Sequence, residues 1–261
     1  MSTPRQLSTV FAFVLFVSPT AAEDRLVLFG GGPRPAAAMT RFVQWAGGSA
    51  SRILVVPWAS GEPKESYEAL RDDLALLGPA SLECAPLAPL TEATRADLAK
   101  KLEKATGVFF GGGDQARIMD VLKDEGLLQA MRARHRAGVV FGGTSAGTAV
   151  MSARMITGEG DFTVLDGDKV EVRPGLGLLP GVIVDQHFLK RQRQNRLFGL
   201  VLKHPEERGV GIDEGAALLV HGREAEVVGG SVMVVDARTE PGTLLVTVVP
   251  AGGRFDLARR P

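Results

Sequence analysis

Residues Gly143-Thr144-Ser145-Ala146-Gly147 carry the pattern G-x-S-x-G, the spacing of a nucleophilic serine on a sharp strand-to-helix turn. The apolar run Val139-Val140-Phe141 precedes it and the helix-compatible Thr148-Ala149-Val150-Met151 follows. Such a turn holds the serine in a strained backbone conformation, and flanking glycines remove side chains that would clash there. The helix start behind it offers unpaired backbone N–H groups and a positive dipole end. The same five residues also suit a small-residue turn where a helix packs on a sheet, so a chemical reading needs partners.

A serine hydroxyl is a poor nucleophile without a base. The chain has four histidines, His135, His187, His204 and His221. His135 lies in the charged run Arg132-Ala133-Arg134-His135-Arg136 and reads as part of a solvated helix face. His204 precedes a proline, and His221 precedes Gly222 in a turn. His187 follows the apolar Val182-Ile183-Val184 inside Asp185-Gln186-His187-Phe188, at the end of a strand, and is the candidate base. A third member, a carboxylate, must hold the imidazole and stabilise its charged form. Gly211-Ile212-Asp213-Glu214-Gly215 offers two adjacent acids, and spacing does not choose between them. The chain order serine, histidine, acid differs from the serine, acid, histidine order of α/β-hydrolases and argues against a lipase or esterase of that kind.

A developing oxyanion needs N–H donors. Ala146, directly after the serine, offers one, and Gly113 in Gly111-Gly112-Gly113-Asp114-Gln115 offers a second. A phosphate cradle is the competing reading of the glycine turns. The chain has no G-x-x-x-x-G-K-[ST], and Gly30-Gly31-Gly32-Pro33 lacks the G-x-G-x-x-G spacing, so nucleotide binding is disfavoured. Lys190, Arg191, Arg193 and Arg196 follow His187 closely. They read either as a solvated basic face or as a grip for free carboxylates, which arginine binds in a bidentate fork.

These groups must be positioned by a scaffold, and the sequence alternates short apolar runs with amphipathic segments. Strands are expected at Arg25–Phe29, Arg52–Pro57, Gly107–Phe110, Val139–Phe141, Val182–Val184, Ala217–Val220 and Leu244–Val249, with a weaker one at Ser81–Leu87. Helices are expected at 36–47, 62–77, 92–104 with Thr91 as N-cap, 115–122 and 126–136. Thr239-Glu240-Pro241-Gly242 reads as a hairpin turn. Unbroken apolar strands alternating with helices indicate an α/β fold around a largely parallel sheet. Ligands of such sheets bind outside the carboxyl ends of the strands, where the three glycine turns and His187 fall.

The 261 residues carry 30 Lys+Arg and 30 Asp+Glu, a formal net charge of zero. That balance argues against binding nucleic acid or an anionic membrane through a global field. With 45% hydrophobic and 23% charged residues, the composition is that of a globular domain. A single cysteine, Cys84, excludes an intramolecular disulfide and a cysteine-rich metal site. Residues 1–22 pair an early Arg5 with the apolar run Val10–Val17 and the small-residue exit Thr20-Ala21-Ala22. They read as a signal peptide cut after Ala22, which places the mature domain, residues 23–261, in the periplasm or outside the cell.

Taken together and in order, Gly111–Gln115, Gly143–Gly147, Asp185–Phe188 with Arg191, Arg193 and Arg196, and Gly211–Glu214 resemble the cyanophycinases. These are serine peptidases of family S51, related to peptidase E, an aspartyl dipeptidase. The resemblance runs from about Arg25 to at least Val220. It implies a three-layer, flavodoxin-like fold similar to class I glutamine amidotransferases, no metal or cofactor, and commonly a homodimer. It implies Ser145 as nucleophile, His187 as base and Glu214, rather than Asp213, as the acid. Gln115, Asp185, Gln186, Arg191, Arg193 and Arg196 match the family's substrate pocket. The implied substrate is cyanophycin, a poly-aspartate backbone whose side-chain carboxylates carry arginine, and the implied product is the β-Asp-Arg dipeptide. The alternative substrate is a small Asp-X dipeptide. Residues 156–172 and Pro33-Arg34-Pro35 depart from the family pattern.

Overall fold

The computed structural model of the protein describes residues 24–258; the expected signal peptide lies outside the described residues. The first half alternates strand and helix: β1 (Arg25–Phe29), α1 (Ala36–Trp45), β2 (Arg52–Val56), α2 (Pro63–Ala75), β3 (Ser81–Cys84), α3 (Glu92–Lys104), β4 (Gly107–Phe110), α4 (Gln115–Val121), α5 (Glu125–Arg136), β5 (Val140–Thr144) and α6 (Ala146–Ala149). The second half is mostly strand: β6 (Arg154–Gly160), β7 (Val170–Pro174), β8 (Val182–Gln186), α7 (Gln194–Lys203), β9 (Arg208–Ile212), β10 (Ala216–His221), β11 (Glu224–Gly229), β12 (Val232–Ala237), β13 (Leu244–Val249) and β14 (Arg254–Asp256). Thr91 caps α3 as expected, its side chain accepting from the Thr94 backbone N–H.

An eight-stranded sheet has the order β14-β11-β10-β1-β5-β4-β2-β3. The run from β1 to β3 is parallel, and β10, β11 and β14 are added antiparallel. The strand pleat sends alternate side chains to opposite faces. Val27 and Phe29 of β1, with Ile53 and Val55 of β2, pack under Phe42 of α1 and Leu70 and Leu74 of α2. Leu26 and Leu28, with Leu54 and Val56, face the other way, toward Leu98, Leu102, Ile118 and Met131 of α3, α4 and α5. Helices on both faces make three layers. Phe29, Phe109, Phe110 and Phe141 are fully buried, each worth about 1.5–3 kcal/mol in removed apolar surface.

A second sheet, β13-β12-β9-β8, goes beyond the single sheet expected from sequence. Its β8 and β9 are parallel, and β12 and β13 form the hairpin whose turn the 239–242 segment makes. One face joins the main core through Val182, Val184, Val210 and Ile212. The other covers Leu197, Leu200 and Val201 of α7.

Register decides where the chemistry meets. Phe29 of β1 pairs with Thr144 of β5, and Phe110 of β4 with Gly143. The turns after β1, β4 and β5 therefore end level with Ser145. In the second sheet Gln186 pairs with Ile212, which sets His187 beside Asp213 and Glu214. The chain crosses from β9 in the small sheet to β10 in the large one through Asp213-Glu214-Gly215, which brings the two sheets together at this point.

Candidate active site

Ser145 sits between β5 and α6 with φ 53° and ψ −112°, a conformation that costs an L-residue about 1–3 kcal/mol and needs support. The support comes from β1 and from the start of α6. Its N–H donates to the Phe29 carbonyl at 3.1 Å, and Thr148 Oγ1 donates toward the Phe29 and Gly143 carbonyls. The flanking glycines are sterically required: a Cβ on Gly143 would lie 2.2 Å from the Gly147 carbonyl oxygen, and one on Gly147 would lie 2.3 Å from that of Phe110.

Ser145 Oγ lies 2.8 Å from His187 Nε2, and His187 Nδ1 lies 2.6 Å from Glu214 Oε1. Three residues from two sheets thus form one hydrogen-bonded chain. His187 itself has φ 49°, and its N–H donates to the Gly30 carbonyl at 2.8 Å. The two adjacent acids divide their work. Glu214 faces the imidazole, while Asp213 Oδ1 accepts the backbone N–H groups of Leu189 and Lys190 at 3.1 and 3.0 Å, holding the turn that carries His187. Burial pushes the His187 pKa below the ordinary histidine value. The Glu214 hydrogen bond opposes that shift, and the positive charges of Arg191 and Arg193 add to it. The imidazole is therefore neutral near pH 7, the form that can accept a serine proton.

The first glycine turn, which has no catalytic role on sequence grounds, is the wall behind this chain. Gly31 has φ 108°, and a Cβ there would sit 2.2 Å from the His187 ring; one on Gly32 would approach the Glu214 side chain at 3.0 Å. Gly215 N–H also donates to the Gly31 carbonyl. On the opposite side, the position a Gly112 Cβ would take is 3.5 Å from Ser145 Cβ, so the 111–113 turn borders the serine. The backbone N–H groups of Gly113 and Ala146 have no acceptor among the described residues, which leaves both available to an oxyanion.

The residues matched to the substrate pocket fall into different environments. Asp185 and Arg196 are wholly buried and paired: Arg196 Nε donates to Asp185 Oδ2 at 2.7 Å and its terminal nitrogen to Oδ1. Phe162 covers the Arg196 guanidinium, 4.8 Å from its ring centroid. Neither group of this pair is free to hold a ligand as it stands. Gln115 is buried, its amide donating to the Ile156 carbonyl at 2.8 Å. Gln186 is buried with its Oε1 lacking a partner. Arg193 is half-buried, donates to the Gln186 carbonyl at 2.8 Å and lies 3.8 Å from Asp185. Burial, with the Arg196 charge, pushes its pKa down to about 10, still cationic at neutral pH. Arg191 is exposed and makes no side-chain hydrogen bond among the described residues. The 156–172 departure from the family pattern is the β6–β7 hairpin, whose Ile156, Thr157 and Phe162 touch Gln115 and Arg196.

The other histidines stand apart. His135, expected on a solvated face, is buried against Phe141, with Asp24 3.6 Å from its Nδ1. It continues the inward stripe of Leu127 and Met131 at four-residue steps. His221 lies beside Trp45 with the two rings tilted by 40°, and His204 lies near Glu206. No helix among the described residues is long and apolar enough to cross a membrane.

The sequence profile of Peptidase family S51 matches residues 26–228. A cyanophycinase of Geminocystis herdmanii is 36% identical over 203 residues, 77% of this chain and 75% of that one. One of Trichormus variabilis is 35% identical over 264 residues, 93% of this chain and 89% of that one. Among solved structures, a peptidase from an acI-B1 Actinobacterium superposes with a TM-score of 0.71 at 22% identity, covering 90% of this chain and 98% of its own, a likeness of fold. The serine elbow, its two partners and these matches together place the chain in peptidase family S51, as a serine-type peptidase.

Proposed function

We propose that the protein is an exported exopeptidase that hydrolyses cyanophycin and releases β-Asp-Arg. The observation that carries this reading is the hydrogen-bonded chain Ser145–His187–Glu214 set beside Arg191 and Arg193. His187 Nε2 takes the Ser145 proton as Oγ attacks the backbone carbonyl carbon of a terminal aspartyl unit. The oxyanion rests against the N–H groups of Gly113 and Ala146. The C–N bond breaks, His187 gives its proton to the leaving amine, and the shortened polymer departs. Water, deprotonated by His187, then cleaves the ester and frees the dipeptide. Glu214 holds the imidazole in the tautomer with Nδ1 protonated and stabilises its cation.

The free arginyl α-carboxylate of the β-Asp-Arg unit matches exposed Arg191 and half-buried Arg193. The buried Asp185–Arg196 pair stands behind Arg193, 3.8 Å from its guanidinium, without touching substrate. Residues 1–22 support export.

The test is to incubate the purified enzyme with cyanophycin and, separately, with Asp-Leu, and to follow β-Asp-Arg and free aspartate. Cyanophycin turnover that Ser145→Ala lowers by about 10⁶-fold supports the reading. Cleavage of Asp-Leu alone would make the enzyme a dipeptidase, and undiminished turnover by the alanine variant would sink the mechanism.

A further inference from the structure

Beside the 111–113 turn lies a cleft of about 580 Å³ with no role in the scheme above. Trp58, Pro63 and Leu90 form its apolar wall, and Arg95, Arg117 and Asp120 stand at its rim. It adjoins the serine through a short series of contacts. The Asp114 N–H donates to the Ala59 carbonyl at 2.9 Å, and a Cβ on Gly113 would lie 2.1 Å from that same oxygen. Ser60 and Gly61, the next residues, line the cleft, and the position of a Gly61 Cβ is 3.7 Å from an Arg117 terminal nitrogen. The donor N–H of Gly113 thus belongs to a partition between Ser145 and this cleft.

We infer that this cleft is the leaving-group subsite, which takes the arginyl arm of the unit on the far side of the scissile bond; the inference rests on the proposed cleavage of cyanophycin. An extended arm of this kind reaches roughly 10 Å from its backbone, enough to pass the partition. Its chemistry fits the lining. The methylene stem packs on Trp58 and Leu90, the free α-carboxylate meets Arg117, and the guanidinium meets Asp120. Arg117 is 54% exposed and its nearest carboxylate, on Asp114, is 3.9 Å away, so its guanidinium can turn to a ligand at little cost. Arg95 is tied to Asp124 and Asp120 to Lys123, exposed pairs that a ligand exchanges readily. Because this subsite holds the leaving portion, it acts on polymers and not on substrates whose leaving group is small.

Two substrates with the same acyl unit separate the roles: a (β-Asp-Arg)₃ oligomer, and β-Asp-Arg joined through its α-carboxyl to p-nitroaniline. Arg117→Ala is expected to lower kcat/KM for the oligomer about tenfold, chiefly through KM, and to leave the anilide rate within twofold. Gly61→Phe, at an exposed residue whose backbone admits a side chain, fills the cleft and should reproduce that pattern by bulk alone. Equal losses on both substrates, or no loss on the oligomer from either variant, would overturn the subsite while leaving the proposed function standing. Failure of the wild-type enzyme on both substrates would overturn the function, and the subsite with it.

Discussion

Ser145 stands at the end of β5 in the eight-stranded sheet, whereas His187 and Glu214 follow β8 and β9 in the four-stranded one. The proposed nucleophile is fixed mainly by its own neighbourhood, two glycines, a buried strand and the Thr148 hydroxyl within five residues, with the carbonyls of Phe29 and Phe110 closing in from β1 and β4. The proposed base and acid are fixed chiefly at a distance, by Gly30 and Gly31 more than 150 positions earlier in the chain and by Asp213 across the turn. A local motif can supply an attacking atom, but its activation here depends on how two sheets close on each other. The sharpest way to break the comparison is at the acid pair. Glu214→Gln keeps the size and loses the charge that favours the correct imidazole tautomer. It is expected to lower kcat about 10³–10⁴-fold with little change in melting temperature. Asp213→Asn keeps an acceptor for the Leu189 and Lys190 N–H groups and should retain most activity. Equal losses in the two variants would mean that the acids do not divide their work as described.

The binding side shows the same contrast between arginines of one cluster. Arg196 and Asp185 are fully buried, so Arg196→Met leaves a carboxylate uncompensated and should cost about 3–5 kcal/mol of stability. Adding Asp185→Leu should recover much of that loss. Arg191→Ala, at an exposed side chain, should change stability by no more than about 0.5 kcal/mol while raising KM for a carboxylate-bearing substrate. Urea denaturation of the three variants reads the difference directly.

The seam itself can be probed with two glycines of similar backbone. Gly31 (φ 108°) and Gly47 (φ 118°) are both in the left-handed region, but only Gly31 backs the His187 ring; a Cβ on Gly47 would meet nothing closer than 3.6 Å. Alanine at either site should cost about 1–3 kcal/mol in backbone strain. Gly31→Ala alone should lower kcat, by about 10²-fold, because the imidazole must shift away from Ser145. A Gly31→Ala variant with unchanged kcat would show that the first glycine turn is a mere connector.

What the sequence revealed follows the same line between local and distant causes. Helices α1 to α5 and the five parallel strands were legible because their apolar periods are local, and the serine elbow because its glycines adjoin it, whereas α7, behind the basic run 190–196, was not assigned. Glu214 and Asp213 were indistinguishable by spacing, since both lie in one turn and only a contact from β8 separates them. The second sheet was hidden because apolar strands do not announce their partners. Gly31 was visible as a glycine but not as a wall, since its reason is a ring contributed by a remote residue. His135 was misread from its charged neighbours, although its four-residue spacing from Met131 and Leu127 was the better signal.

The smallest effect separates the two arginines that remain near the base. Burial lowers the His187 pKa, and Arg191 and Arg193 lower it further by charge. The acidic limb of the kcat/KM profile, where His187 gains a proton and activity is lost, should therefore fall below the ordinary histidine value of about 6.5. Arg191→Ala removes one repelling charge, which makes the imidazolium easier to form, so the limb should move to higher pH. Added salt should move the wild-type limb in the same direction, because Arg191 is exposed and its field is screened over about 8–10 Å at moderate ionic strength. In Arg191→Ala that salt response should shrink, since half-buried Arg193 is screened less. A limb that moves to lower pH in the variant would mean that Arg191 does not face His187, and that the base answers to its own sheet alone.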